Sequence, residues 1–389
     1  MAHGAAVAGI RRGALAFAPP DYEWPIPEEV LADYRAGRDA FAVTGSPACP
    51  GGLNIGSQLA YLENLLPGGF ADVTLLPYAQ YWSWLLSGEA RSEVTSLGCH
   101  SDLWAPGEDD FSPMARRRGW ARRFAPMARA GEVIGTLRSD LAAKTGLSPQ
   151  VRIHAGLHDS NAALVAARGF AEIGKHEATV LSTGTWFVAM RTSAGTVNLA
   201  ALPEKRDCLV NVDVAHCPVP SARWMGGREL ELLGAIIDLP GLAGLAEALA
   251  EGAMVLPALV AGSGPFPDAR HGWIAEPADT PARTAAAALY AALMADCLLD
   301  LIGAREQILI EGRFAGSDVF ARALASLRPT TAIHVARGEA DVSFGALRLI
   351  WPDLRPPAAL TQVVPLPHDL TAYREAWRRN IAASGRLPA

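Results

Sequence analysis

The stretch that most constrains this chain covers residues 151–190. There an apolar run with strand alternation, Val151-Arg152-Ile153-His154-Ala155, enters Gly156-Leu157-His158-Asp159-Ser160-Asn161 and then a run of small helix-forming residues. The pattern predicts a strand-to-helix corner with Gly156 as its sharp exit. Side chains at such corners face a cleft, and a carboxylate placed there, Asp159, can take a proton from a bound hydroxyl. Asp, Ser and Asn are also the favoured helix caps, and taken alone capping is the stronger reading of Asp159. A second element shifts the balance. Ala178-Thr179-Val180-Leu181 and Trp186-Phe187-Val188-Ala189-Met190 are β-prone arms around Ser182-Thr183-Gly184-Thr185, which predicts a hairpin. A glycine flanked by hydroxyl residues lets the backbone approach an anion while amides and hydroxyls donate to its oxygens. An ordinary β-turn has the same composition.

Gly156, His158 and Asp159, followed by Ser182, Gly184, Thr185 and Trp186, resemble the catalytic segment and phosphate turn of the FGGY carbohydrate kinases, of the rhamnulokinase and fuculokinase kind. The likeness continues through Pro257, Gly264-Pro265-Phe266-Pro267 and Ile308-Leu309-Ile310-Glu311-Gly312, and so covers most of the chain. It implies an α/β, two-domain fold of the actin-like, sugar kinase and heat-shock ATPase (ribonuclease H-like) type. Residues 1–169 would form the N-terminal domain, with the sugar side and the catalytic Asp159. Residues 170–389 would form the C-terminal domain, with the phosphate turn and the nucleotide side. The same resemblance implies phosphate binding by Ser182, Thr183, Gly184 and Thr185, and nucleotide binding around Gly312, Arg313, Ser317 and Gly345. It places His3, Thr95 and His158 at the substrate and implies ATP and Mg2+ as cofactors, with no side-chain metal site of its own. Arg313 stands where the family has a second glycine.

Kinases of this type begin with an Asp-x-Gly-x-Thr/Ser hairpin, and this sequence has no such motif, so the first domain is expected to be incomplete at its N-terminus. Two functions follow from the resemblance. The first is ATP-dependent phosphorylation of a sugar or polyol hydroxyl. The alternative is a catalytically impaired remnant that binds sugar or nucleotide without phosphotransfer.

Composition bounds these readings. A chain of 389 residues, half of them hydrophobic, can bury a core large enough for two domains. A net charge of −6 argues against nucleic acid and against an anionic membrane as partners, since both reward a basic surface. The expected partners are a small-molecule sugar or polyol and ATP, with a homodimer as a further option through an exposed sheet edge in the first domain. No uninterrupted apolar run reaches membrane-spanning length, and the cytoplasm is the expected compartment. Five cysteines, scattered without paired spacing, predict free thiols rather than disulfides or zinc ligands.

Periodicity predicts helices over residues 28–38, 55–66, 78–86, 230–237, 242–249, 285–302 and 319–327, with Thr284 capping the long one, and strands over 73–77 and 307–311. The basic run from Arg116 to Arg123 predicts a solvated face.

Overall fold

Two sheets organise the chain in the computed structural model, which describes residues 6–21, 24–66, 68–174, 177–192, 196–235, 241–336, 342–357 and 359–384. The smaller sheet has Val7–Arg11 at its centre, paired antiparallel with Ala14–Leu15 on one side and Thr74–Pro77 on the other. Val7, Leu75 and Leu76 are fully buried beneath the helices Glu28–Gly37, Ile55–Leu65 and Tyr78–Ser87, all three where the apolar spacing places them. Ala14 and Leu15 are exposed, and among the described residues their strand pairs only with Val7–Arg11.

The larger sheet has seven strands in the order Cys208–Val212, Pro218–Trp224, Phe187–Thr192, Ala178–Thr183, Gln307–Gly312, Ala332–Ala336 and Leu360–Gln362. Only the two pairings that flank Gln307–Gly312 are parallel. A strand paired in parallel on both sides needs cover on both faces, which is why Ile308, Leu309 and Ile310 are all fully buried. One face is covered by the helix Thr280–Leu301, whose alanines combine high helix propensity with close approach to the sheet. This helix starts earlier than predicted and is capped by Asp279, not Thr284: the Asp279 carboxylate accepts from the Ala282 amide at 3.1 Å. Pro281, which in the sequence looks like a break, sits in the first turn, where its missing amide costs nothing. The helix is long and apolar enough to cross a bilayer, yet 83% of its apolar window is buried inside the fold.

Two further elements differ from the sequence reading. The helices expected at 230–237 and 242–249 are Gly226–Leu232 and Leu245–Ala250. Gly234, at φ +65°, closes the first in the left-handed conformation that ends helices. The basic run behaves as predicted: Arg116 pairs with Glu108 and Asp110, Arg117 with Asp39, and Arg118 with Asp33 and Glu63. All five cysteines are free thiols.

The helix Asp159–Ala167 packs on the seven-stranded sheet. Leu164 and Ala167, with Phe170 and Ile173, pack on Ala178, Val180, Met190 and Leu309 of the seven-stranded sheet. It also packs on the helix Val342–Arg348, where Gly345 lies so close that a Cβ would run into the Ala162 carbonyl. The Gly345→Val variant is therefore expected to lose about 1–3 kcal/mol of stability in a urea titration, the usual cost of overpacking a closed contact.

Candidate active site

The corner before Asp159 is pinned from several directions. Gly156 takes φ +81°, and its amide donates to the Ala130 carbonyl at 3.0 Å. Gln80 Nε2 donates to the carbonyls of Ala155 and Gly156 at 3.3 and 3.1 Å, and the Ser83 hydroxyl donates to Ala155 at 2.8 Å. The next amide, that of His158, donates to Thr95 Oγ1 at 2.9 Å. Thr95 in turn donates its hydroxyl proton to Glu93 Oε2 at 2.6 Å, while its amide donates to the same oxygen at 3.0 Å. Thr95 is wholly buried. Its hydroxyl thus holds the backbone of His158, where the sequence had placed it at the substrate.

Asp159 is the first residue of its helix and not the cap. The capping position belongs to His158, with no side-chain bond, so the capping alternative for Asp159 falls away. The Asp159 carboxylate accepts from the Ser160 amide at 2.6 Å, and His158 Nδ1 stands 3.2 Å from the same oxygen. A helix N-terminus favours negative charge there. Asp159, His158 and Ser160 line a cavity of about 280 Å³ together with His100, Trp186, Val188, Asn211 and Arg223. A second cavity of about 570 Å³ adjoins it across Leu53, Trp186 and Arg223.

Trp186 belongs to the predicted hairpin, which is formed by Ala178–Thr183 and Phe187–Thr192 with Thr183 opposite Phe187. Gly184, Thr185 and Trp186 make the tip, closed by the Gly184 amide donating to the Trp186 carbonyl at 3.0 Å. Thr185 is exposed. Ser182 and Thr183 are engaged below it: Ser182 Oγ donates to Glu311 Oε1 at 2.5 Å and Thr183 Oγ1 to the Glu311 carbonyl at 2.6 Å. Gly227 supports the tip from beneath, because any side chain there would collide with the Gly184 carbonyl. Burial raises the acid of Glu311 above the usual carboxylate range, and the Ser182 bond opposes that shift.

The predicted nucleotide residues divide. Gly312, at φ +85°, ends its strand against the Thr183 backbone, with no room for a Cβ. Arg313 is exposed, lying over the Phe314 ring and 3.8 Å from Glu231. Ser317 is buried and caps the helix Asp318–Leu327 by accepting from the Phe320 amide. Gly345 serves the helix contact described above. His3 lies outside the described residues.

Sequence reasoning missed four members of this region. His100 bonds the Leu53 carbonyl through Nδ1 at 2.8 Å, and its ring lines the cavity. Arg223 is nine-tenths buried, its Nε donates to Asp207 at 2.8 Å, and its guanidinium lies 5.1 Å from the Trp186 ring. A charged residue inside the buried strand Pro218–Trp224 was the available signal. Glu93 gave none, and Glu311 stood out only as part of the stretch that carries the family likeness. Among the described residues no group of three or more His, Cys, Asp or Glu is arranged to hold a metal ion.

The model of the carbohydrate kinase FGGY C-terminal domain matches residues 175–358. A carbohydrate kinase from Novosphingobium aromaticivorans, solved by crystallography, superposes with a TM-score of 0.94 at 58% identity, over 98% of this chain and 84% of that one. The chain belongs to the FGGY carbohydrate kinase family. Among curated family members, L-fuculokinase of Salmonella typhi is 31% identical over 176 residues, which is 43% of this chain and 36% of that protein. L-fuculokinase of Escherichia coli K12 is 32% identical over 149 residues, 38% and 30% of the two lengths. The match thus spans about a third of the length of these relatives. A xylulose kinase from Brucella ovis shares the FGGY kinase fold at TM-score 0.77 and 19% identity, over 98% of this chain and 82% of that one.

Glu93 gives the site a pH signature. Burial pushes its acid up to about 7, opposed by the bonds from Thr95. An acid that binds its proton more tightly when folded destabilises the fold once pH exceeds the unfolded value, so stability should fall as pH rises from about 4.5 to 7. Glu93→Gln keeps an oxygen for Thr95. Chemical denaturation across pH 5–8 should show it losing less stability than the parent, by on the order of 2 kcal/mol at the alkaline end.

Proposed function

We propose that the protein transfers the terminal phosphoryl group of ATP to a hydroxyl of a sugar or polyol. The observation that carries this reading is the shared cavity: Asp159 and the hairpin tip residue Trp186 line the same space of about 280 Å³. In this reading Asp159 accepts the proton of the attacking hydroxyl late in the transfer, as the acceptor oxygen bonds to phosphorus and the bond to ADP breaks. The exposed tip at Gly184 and Thr185 holds phosphate, while Ser182 and Thr183 keep the tip in register with Glu311. Trp186 offers the acceptor an apolar wall. The fuculokinase relatives and the Novosphingobium kinase support this class of substrate.

The turn at Gly312 is the nucleotide side in this reading, since Gly312 is exposed where its strand ends beside the hairpin. A structural neighbour, glycerol kinase of Plasmodium falciparum, was solved with ADP. Mg2+ would supply charge neutralisation at the transferring phosphoryl group. Without a protein cage among the described residues it would be held chiefly by the nucleotide's own phosphates, which is its usual habit. We place the domain division at residues 169 and 170, with the helix Asp159–Ala167 bridging the two parts. Free thiols fit a reducing compartment, the cytoplasm. A homodimer would use the exposed edge at Ala14–Leu15.

Asp159→Asn tests the role of the acid. Turnover on any acceptor that the parent phosphorylates should fall roughly a hundredfold or more, while thermal melting changes little, because a first-turn charge is worth only about 0.3–1 kcal/mol. Full turnover in this variant would remove Asp159 from the chemistry.

A further inference from the structure

The kinase reading leaves open what recognises the acceptor beyond the hydroxyl facing Asp159, and the cavity wall answers from two residues far apart in sequence. His100 Nδ1 lies 2.8 Å from the Leu53 carbonyl, which can only accept, so Nδ1 carries the proton. Burial together with the neighbouring Arg223 and His158 lowers the His100 pKa to about 3, so the ring stays neutral across physiological pH. Its Nε2 is then a lone-pair acceptor. Arg223 lines the same cavity, anchored through Nε to Asp207 at 2.8 Å and through Nη2 to Cys49 Sγ at 3.3 Å. The planar fork has further N–H groups beyond these two bonds, and Trp186 restrains its plane.

We propose that His100 and Arg223 are specificity-determining residues that together bind one hydroxyl of an uncharged sugar or polyol, His100 Nε2 accepting its proton and Arg223 donating to its oxygen. A hydroxyl is both donor and acceptor, and only such a group satisfies both residues at once. A carboxylate has no proton for His100. It would also meet a cavity whose cation is already neutralised by Asp207 and whose remaining charge is that of Asp159, so a sugar acid is rejected. The inference rests on the kinase reading for the identity of the pocket, and its test is built on binding so that the two can fail separately.

Acceptor binding to the full chain is measured by calorimetry with a panel of six-carbon aldoses, ketoses and polyols, their single-deoxy analogues and the matching aldonates. The variants are His100→Asn, which keeps a donor for the Leu53 carbonyl but lacks the distal acceptor, His100→Gln, which places an oxygen near the Nε2 position, and Arg223→Lys. Thermal melting confirms the fold of each. For the best neutral ligand, His100→Asn should weaken binding on the order of tenfold, His100→Gln should recover most of the loss, and one deoxy analogue should bind parent and His100→Asn equally. Where turnover is measurable, the loss should appear in KM for the acceptor with kcat and KM for ATP little changed. Should Arg223→Lys fail to fold, the His100 pair and the deoxy series still decide. Unchanged binding by folded His100→Asn, no binding of any neutral ligand, or tighter binding of aldonates than of neutral sugars would each overturn the proposal. Neutral sugars that bind as described but are never phosphorylated would instead refute the kinase reading alone.

Discussion

The parallel pairing of Ala178–Thr183 with Gln307–Gly312 is the constraint on which the site depends. Because the two strands run in the same direction, both exit at one edge of the sheet, where Ser182 stands opposite Glu311 and Thr183 opposite Gly312. The hairpin tip at Gly184 and Thr185 and the turn after Gly312 are therefore neighbours by register, not by loop flexibility. The bonds from Ser182 and Thr183 to Glu311 lock that register, and the absence of a side chain at Gly312 allows the backbones to meet. Loop closures of this kind place ligands at the carboxyl ends of strands, where helix and turn amides converge.

The opposite wall is positioned by a separate device. Asp159 stands on a helix whose body rests on the seven-stranded sheet, while the residues just before it, Ala155, Gly156 and His158, are held by Ser83, Gln80 and Thr95. Moving Asp159 against the hairpin tip must break either the packing on the sheet or the hydrogen bonds at the corner. A proton acceptor needs to sit within about 2.6–3.2 Å of the atom it serves, so this double attachment is what gives the carboxylate a defined place. The buried Glu93 is the cost of the arrangement: an acid without a cation beside it, kept because its oxygen orients the Thr95 hydroxyl.

Much of this was legible in the sequence for identifiable reasons. The helices at 28–37 and 55–65 announce themselves by apolar spacing, the hairpin by β-prone arms around a turn of small residues, and the Asp159 corner by a strand running into Gly156. What stayed hidden was decided by tertiary contact. A loop hydroxyl such as Thr95 reads equally as a ligand contact or a tether until a buried carboxylate is found beside it. Ser317 caps a helix and Gly345 lets two helices touch, roles that no local pattern announces. His100 and Arg223 lie on one cavity wall though far apart in the chain, and no local pattern joins them. The early start of the helix Thr280–Leu301 was missed because Pro281 breaks a helix anywhere but in its first turn.

The account claims above all that Asp159 and the hairpin tip serve one reacting phosphoryl group from opposite sides of a single cleft. A crystal structure of the chain with a non-hydrolysable ATP analogue and a neutral acceptor measures this directly. The account predicts one acceptor hydroxyl within about 3 Å of an Asp159 carboxylate oxygen and the terminal phosphate at the Gly184 and Thr185 amides, in line with that hydroxyl. An acceptor bound away from Asp159, or a terminal phosphate that does not reach the hairpin tip, would contradict it.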